Sequence, residues 1–247
     1  MMQISKPIIR WIIGPCHAAG FESLTQSIKR FKRIYGGCFY YIICFNQLDD
    51  FHQSKLPVNS VDAIINQNDY RNELDKPPPQ IGNLIAGPCW KLYPPRLSAN
   101  QHEIIIDNDV IIYKRFPEIE KFLETDDLFL ISQAFQRSYH GRFEKLVKDN
   151  FNINSGLVCL PPKFDYAAKI NNLIRETKGT WQTHFEEQSL VATVLQDENV
   201  EIIPINKIQV SGPTPGFKIG SCGTHFCGVN KGYVKDWDIF KKTFLFL

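Results

Sequence analysis

Several features are scarce in this 247-residue chain, and each absence removes a class of protein. No apolar run approaches the roughly eighteen residues of a membrane span. The start, MMQISKPIIRWIIGP, is apolar but broken by Arg10, and it has no small-residue cleavage site, so it reads as a first strand and not as a signal peptide. Bulk charge is nearly absent: 28 Lys and Arg against 26 Asp and Glu give a net charge of +2, which leaves no general electrostatic case for nucleic acid. The seven cysteines contain no Cys-x-x-Cys pair, and an odd, scattered set suits a reducing cytoplasm better than a disulfide framework. No internal repeat and no second domain stand out. A chain of this length, 43% hydrophobic, is expected to be one α/β domain spanning 1–247.

Residues 8–14 (IIRWIIG) read as a buried strand closed by Gly14-Pro15. Apolar residues then recur at helical spacing over 21–35, with a Lys/Arg-rich opposite face, and Gly36-Gly37 ends that helix. Strands follow at 39–45 and 61–65, and this strand, helix, strand order points to a mostly parallel sheet. Residues 74–80 (LDKPPPQ) read as a proline-rich loop, and 89–97 as a short helix interrupted at Pro94-Pro95. Further strands are expected at 102–106, 128–132, 156–160 and 200–203, and helices at 117–124, 165–177 and 186–195. The segment 211–232 holds six of the fifteen glycines and reads as one loop able to wrap a ligand.

The stretch EIIIDNDVIIY (103–113) places Asp107 and Asp109 between two apolar runs, where a carboxylate is costly unless a cation meets it. Residues i and i+2 of an extended segment share a side, so the pair can aim at one point past the strand end. Ligands of open α/β sheets bind there, and two oxygen donors suit Mn²⁺ or Mg²⁺. Spacing alone also allows a turn or a solvated acid pair, and Asp236-Trp-Asp238 repeats the pattern without the apolar strand. Far downstream, CGTHFCGVNKG (222–232) offers His225 as a third ligand, Lys231 as a charge for a phosphate, and glycines for close backbone approach. A zinc site from Cys222, His225 and Cys227 is the competing reading.

Together these motifs resemble the retaining glycosyltransferases of family 8. Their pattern is an apolar strand into Asp-x-Asp, then Asn-(Ala/Ser)-Gly, then Asp-Gln, then His-x-x-Gly-x-x-Lys. Here it is matched by Asp107-Asn108-Asp109, Asn154-Ser155-Gly156, Glu187-Gln188 and His225 through Gly228 to Lys231, across residues 8–232. The resemblance implies a GT-A fold: one Rossmann-like, mostly parallel sheet flanked by helices, with the nucleotide-sugar site at the carboxyl ends of its strands.

It further implies that Asp107, Asp109 and His225 hold Mn²⁺ (or Mg²⁺) against the diphosphate of a nucleotide sugar, most often UDP-linked. Gly228 and Lys231 would contact the same diphosphate. Asn108, Lys91, Asn154, Ser155 and Gly156 would line the donor, and Glu187 and Gln188, with Asn154, would lie near the reacting carbon. A hexose would move to a saccharide or glycolipid hydroxyl, with retention favoured by the His-x-x-Gly-x-x-Lys pattern and inversion, with Glu187 as general base, as the alternative.

Three departures stand out. Lys231 is followed by Gly232-Tyr233 where the family often has Pro-Trp, Glu187 replaces Asp, and GPCHAAG carries no recognisable uracil-binding residues. A nucleotidyltransferase is the second enzyme reading, but GPCHAAGFES lacks the expected lysine or arginine. A non-catalytic nucleotide-sugar-binding module is the third, opposed by the intact metal set and Lys231. Residues 133–150, aromatic and cationic, follow the metal motif where an acceptor cleft would have a wall. The tail, 233–247, either packs on the core or rests on an anionic membrane surface as a peripheral contact of a cytoplasmic enzyme.

Overall fold

The computed structural model describes residues 6–69, 80–81, 84–85, 87–178, 186–212 and 218–244. Residues 74–79 of the expected proline-rich loop and 213–217 of the glycine-rich segment lie outside them.

The chain begins with β1 (Ile8–Ile13), α1 (Ala18–Tyr35), β2 (Tyr40–Phe45), the one-turn helix α2 (Asp50–Gln53) and β3 (Ala63–Asn66). A two-stranded ladder, β4 (Gln80–Ile81) and β5 (Leu84–Ile85), precedes β6 (Glu103–Asp107), β7 (Val110–Ile112), α3 (Pro117–Leu123) and β8 (Phe129–Gln133). Then come β9 (Ile153–Leu160), α4 (Tyr166–Glu176), α5 (Glu186–Leu195), β10 (Val200–Ile203), β11 (Ile208–Ser211), β12 (Gly223–Phe226) and α6 (Lys235–Phe244).

Seven strands form the central sheet in the order β10-β8-β9-β6-β1-β2-β3. Only β9 runs against the others, because both of its pairings are antiparallel while the remaining neighbours pair in parallel. The expected mostly parallel α/β sheet is thus observed. Strands buried on both faces need a helical layer on each side. On one face Ile9, Trp11 and Ile13 meet Phe21, Leu24, Ile28 and Phe31 of α1. On the other, Ile8 and Ile12 share a core with Ile170 of α4 and Leu190 and Val191 of α5.

Helix α1 forms because its apolar residues fall three and four apart, which builds one buried stripe. His17 caps its start by accepting from the Ala19 amide, and Gly36, at φ 58°, ends it in a conformation that favours glycine. Burying each large apolar side chain of that stripe contributes about 1.5–3 kcal/mol. Trp11 donates to Ser27 Oγ at 2.8 Å and Ser27 Oγ donates to the Val110 carbonyl at 2.6 Å, tying β1, α1 and β7 together.

Two expectations are corrected. Residues 89–97 are not an α-helix: a 3-10 segment, Gly87–Leu92, stops before Pro94, since the residue preceding a proline is disfavoured in helical geometry. The glycine-rich segment is not one loop, because β11 ends on Ser211 and β12 occupies Gly223–Phe226 in a second sheet ordered β11-β12-β7. Of the tail, 233–247, residues 245–247 lie outside the described residues, and α6 packs on the core. Trp237 and Phe240 of α6 are fully buried with Phe226 and Ala19, and Trp237 Nε1 donates to Glu22 at 3.0 Å. Among the described residues, no helix is long and apolar enough to cross a membrane. All seven cysteines are free.

One buried ion pair sits inside the α4/α5 face. Arg10 and Glu103, both fully buried on neighbouring strands, are 2.7 Å apart. Arg10 also donates to the carbonyls of Lys91 (3.1 Å), Pro94 (2.8 Å) and Pro95 (2.8 Å). Removing one partner of such a pair costs about 3–5 kcal/mol, because it strands the other charge. Glu103→Leu is therefore expected to lose that much stability in urea unfolding. Adding Arg10→Met should recover only part of it, since three carbonyls then lose their donors. A wild-type midpoint for the single variant would show the pair to be dispensable.

Candidate active site

The site is built where the chain leaves the central sheet. β6 ends at Asp107, a tight turn takes Asn108 and Asp109, and β7 starts at Val110 in the second sheet. The two aspartates therefore converge because of a turn, and not because an extended segment points them to one side as expected. β7 pairs antiparallel with β12, placing His225 opposite Val110, and the Phe226 amide donates to the Asp109 carbonyl at 2.9 Å. This pairing brings the downstream histidine to the acid pair.

His225 Nε2 lies 3.2 Å from Asp109 Oδ1 and 3.8 Å from Asp107 Oδ2. Its Nδ1 is 2.9 Å from Asn154 Oδ1, an acceptor, so Nδ1 carries the proton and Nε2 faces the carboxylates. One ligand atom from each of Asp107, Asp109 and His225 lies within 4.8 Å of the others, the one such group among the described residues. Two carboxylates and an imidazole suit a borderline divalent cation, so the donor set fits the metal that the motifs imply. Cys222 and Cys227 do not belong to the group, which leaves the zinc reading without its thiol ligands.

Charge is concentrated here. Burial pushes the Asp107 carboxyl above its ordinary value, with Lys91 and His225 opposing. Burial works against the His225 cation, but Cys227 and Asp109 outweigh it and hold the imidazole pKa well above the usual range. The buried Lys91 Nζ is 3.0 Å from Asp107 Oδ1 and donates to the Ser155 carbonyl at 2.9 Å and Ser155 Oγ at 3.2 Å. Glu187 Oε1 lies 3.7 Å from the same ammonium, and Glu187 Oε2 accepts from Ser155 Oγ at 2.9 Å. Burial raises the Glu187 carboxyl to about 7 against the pull of Lys91. Gln188 is pinned at both ends of its amide, accepting from the Ser155 amide (3.3 Å) and donating to the Ser138 carbonyl (2.9 Å).

Asn154, Ser155 and Gly156 lie inside β9, which starts earlier than the strand expected at 156–160. The β8–β9 register jumps between Ile131↔Val158 and Ser132↔Asn154, so the motif occupies a bulge, a device that re-aims side chains. Asn154 also accepts from the Gly156 amide at 3.0 Å.

Asn108 uses its amide within the chain. It donates to the Gly20 carbonyl (2.9 Å) and to Asn230 Oδ1 (2.8 Å), and accepts from Asn230 Nδ2 (3.0 Å). Gly228 (φ 94°) and Gly232 (φ 84°) bracket a 3-10 turn, Val229–Lys231, in conformations that favour glycine. That turn docks on α1 through the His17 amide and the Asn230 carbonyl (2.9 Å), and presents Lys231 to solvent.

Sequence reasoning missed Asn230, which reaches Asp109 at 3.4 Å from an unspecified position of the His-x-x-Gly-x-x-Lys pattern. It also missed Asn46 and Gln67, just past the carboxyl ends of β2 and β3. Both are fully buried, and both amide atoms of Asn46 and Oε1 of Gln67 have no hydrogen-bond partner. A lone amide after a strand carries no signal in sequence.

No protein-family model matches the chain, and no curated protein matches it by sequence. Solved structures do. The galactosyltransferase LgtC, in complex with donor and acceptor sugar analogs, is similar at a TM-score of 0.58 and 11% identity, over 90% of this chain and 87% of that one. The bifunctional glycosyltransferase WbbM gives 0.58 and 11% over 85% of this chain and 40% of its own. Mouse xyloside xylosyltransferase 1 gives 0.57 and 9%, over 91% and 99%. The chain has the GT-A fold of these glycosyltransferases.

The packing around His225 can be tested without any ligand. A methyl group on Gly156 would lie 2.5 Å from the imidazole, far inside contact distance. Gly156→Ala is expected to displace the ring and cost about 1–3 kcal/mol. Thermal unfolding and the His225 imidazole resonances check this. Unchanged resonances would mean that the bulge, and not the ring, yields.

Proposed function

We propose that this chain is a metal-dependent glycosyltransferase that moves a hexose from a nucleotide sugar, UDP-linked as the family resemblance implies, to a saccharide or glycolipid hydroxyl with retention. One observation carries the reading: Asp107, Asp109 and His225 converge at the carboxyl end of β6 in a GT-A fold. Ligands of open α/β sheets bind at those ends.

In this reading Asp107, Asp109 and His225 hold Mn²⁺ or Mg²⁺. When bound, the cation neutralises charge on the nucleoside diphosphate as it leaves. The bond that breaks joins the sugar C1 to the β-phosphate oxygen, and the bond that forms joins C1 to the acceptor oxygen. The acceptor proton passes to the departing phosphate oxygen. Lys91, fixed between Asp107 and Ser155, supplies a permanent positive charge beside the donor sugar. Gln188, held rigid by Ser155 and Ser138, presents its amide near C1. Glu187 is 1% exposed behind Ser155, which supports retention over an inverting route with Glu187 as base. Asn154 holds the tautomer of His225, so its role is to position that ligand. The unpartnered amide of Asn46 and the unpartnered Oε1 of Gln67 stand just past the carboxyl ends of β2 and β3 and suit the nucleoside.

Incubation with UDP-hexoses, with and without Mn²⁺, tests the reading. Slow release of UDP is expected only with metal, and Asp109→Ala is expected to abolish it. Asn154→Ala should weaken Mn²⁺ binding by calorimetry about 10–100-fold, the usual effect of losing the group that orients a ligand. UDP binding undiminished in excess EDTA would remove the metal-bridge account.

Lys231 divides binding from rate. It stands on an exposed turn bounded by two left-handed glycines, well placed to close on a diphosphate. Charge on that group grows as the glycosidic bond breaks, so Lys231→Ala should lower the rate at saturating donor more than it raises KM. A raised KM at an unchanged rate would make Lys231 a mere anchor.

A further inference from the structure

Two buried amides stand together beyond the carboxyl ends of β2 and β3. The last pair of that parallel ladder is Phe45↔Asn66, and Asn46 and Gln67 are the residues that follow it. On the other side, the Asn46 backbone amide donates to the Ile13 carbonyl at 3.1 Å, next to Gly14, which brings no side chain into the gap. Neighbouring strands lie about 4.8 Å apart, so in the order β6-β1-β2-β3 Asn46 stands about 10 Å and Gln67 about 14 Å across the sheet from Asp107. Alternation carries Ile42 and Cys44 of β2, Ala63 and Ile65 of β3, and Ile105 of β6 to one face, and Asn46, Gln67 and Asp107 continue those rows. The pair is thus set sideways from the metal cluster, on the face where Lys91 meets Asp107.

Their hydrogen bonds leave a specific deficit. Gln67 Nε2 donates to the Trp90 carbonyl (2.8 Å) and the Tyr93 carbonyl (2.7 Å), which spends both of its N–H groups and forbids the amide to flip. Its Oε1 is therefore a fixed acceptor, and it has no partner among the described residues. The side chain of Asn46 has no partner among them either, so its Oδ1 and Nδ2 are both open. Both residues are fully buried. A buried carboxamide with nothing to bond is destabilising, and native chains keep one where water or a ligand completes it. Both amides are closed to solvent, so a neighbouring segment must shift to admit a ligand. The turn after β2 is under strain: Gln47, the exposed residue next to Asn46, holds φ 51°, which costs a non-glycine residue free energy.

We infer that Asn46 and Gln67 read the base edge of the donor nucleotide and select uracil. The inference rests on the reading of the metal cluster as a nucleotide-sugar site. With the diphosphate at the metal, the ribose crosses the bare end of β1 at Gly14, and the base reaches the ends of β2 and β3. Gln67 Oε1 accepts from uracil N3–H, and Asn46 Nδ2 donates to a carbonyl beside it. Cytosine and adenine carry a lone pair on the ring nitrogen of that edge and would meet Gln67 Oε1 acceptor to acceptor. Guanine shares the N–H but sets it one ring further from the ribose. A buried acceptor that cannot rotate away rejects the wrong base by being left unpaired.

Calorimetry on the full chain with Mn²⁺, using UDP, its N3-methyl analogue and CDP as probes, tests this. Methylating N3, or putting a lone pair there, leaves Gln67 Oε1 unpaired, so both probes should bind about 10–100-fold more weakly than UDP. Asn46→Leu breaks no side-chain hydrogen bond among the described residues, so its melting temperature should match or exceed that of the wild type. Its UDP affinity should nevertheless fall about tenfold or more, an opposition that a merely structural amide would not produce. The probe comparisons use the wild-type chain, so they decide the matter whatever the variant does. Equal binding of UDP and N3-methyl-UDP, or CDP bound as tightly as UDP, would overturn the uracil subsite. So would wild-type UDP affinity in a folded Asn46→Leu, which would give Asn46 a buried water as its partner. In each of those cases metal-dependent UDP binding leaves the glycosyltransferase reading standing, whereas absence of UDP binding with Mn²⁺ would overturn both.

Discussion

Everything near the candidate site hangs on one buried guanidinium. Arg10 is a charged residue in the middle of an otherwise apolar strand, IIRWII, and its burial is tolerable only because Glu103 on the neighbouring strand meets it. The pair does more than neutralise itself. Arg10 takes the carbonyls of Lys91, Pro94 and Pro95, while Glu103 accepts the Leu97 amide at 2.9 Å. Arg96 adds a second cation 3.9 Å from Glu103 and donates to the Phe164 carbonyl at the start of α4. A segment with two consecutive prolines and little regular structure is thereby bolted to the sheet, and Lys91 is the residue it delivers. A lysine on a free loop would lose several rotatable bonds' worth of entropy each time it met its partners. Here that ordering is accomplished on folding.

The second constraint is the exit of the chain from the central sheet at Asp107. Had the apolar run continued straight, Asp109 would have stayed on the same strand and the second sheet would have lacked β7. Turning at Asn108 and Asp109 instead lets Val110–Ile112 pair with β12, and that pairing registers His225 against the acid pair. The Asn108–Asn230 pair and the Gly20 carbonyl fix the turn to α1, so three separate parts of the chain locate Asp109. Such a site sits on rigid elements whose positions are set by sheet register, which changes in steps of a residue and not continuously.

Much of this was legible in the residues. Apolar periodicity marked α1 and the parallel strands because burial on one stripe or on both faces leaves a direct trace. The acid pair and His225 were legible because charged or ligating residues in apolar surroundings need a partner. The error at 211–232 has a physical cause: six glycines look like a loop, but Gly223 is in a strand because its position has no room for a side chain. A Cβ there would lie 2.7 Å from Ile112. Glycine required by close packing and glycine required by a turn are identical in sequence. The bulge at Asn154, the partnership of Asn108 with Asn230, and the clamp on Lys91 were illegible for a related reason. Each depends on which residue stands opposite, and pairing between distant segments leaves no local pattern.

The charge count of the pocket links these parts to chemistry. Asp107, Asp109 and Glu187 bring three carboxylates to a largely buried space, and among the described residues Lys91 is the permanent cation that meets them. With a neutral imidazole, the pocket carries an excess of two negative charges. The directions of titration express that excess: Asp107, Glu187 and His225 are all shifted toward holding a proton, the two carboxyls chiefly through burial, and His225 against its burial through its neighbours. A protein gains nothing for its own stability by gathering like charges in a low-dielectric space, because each unneutralised carboxylate costs free energy. Lys91 cannot relieve both ends of the cluster, since its ammonium is spent on Asp107, Ser155 and Glu187. The unrelieved charge therefore faces the side where Asp109 meets His225 Nε2, and a divalent cation has the charge, the ligand preference and the size to balance it there.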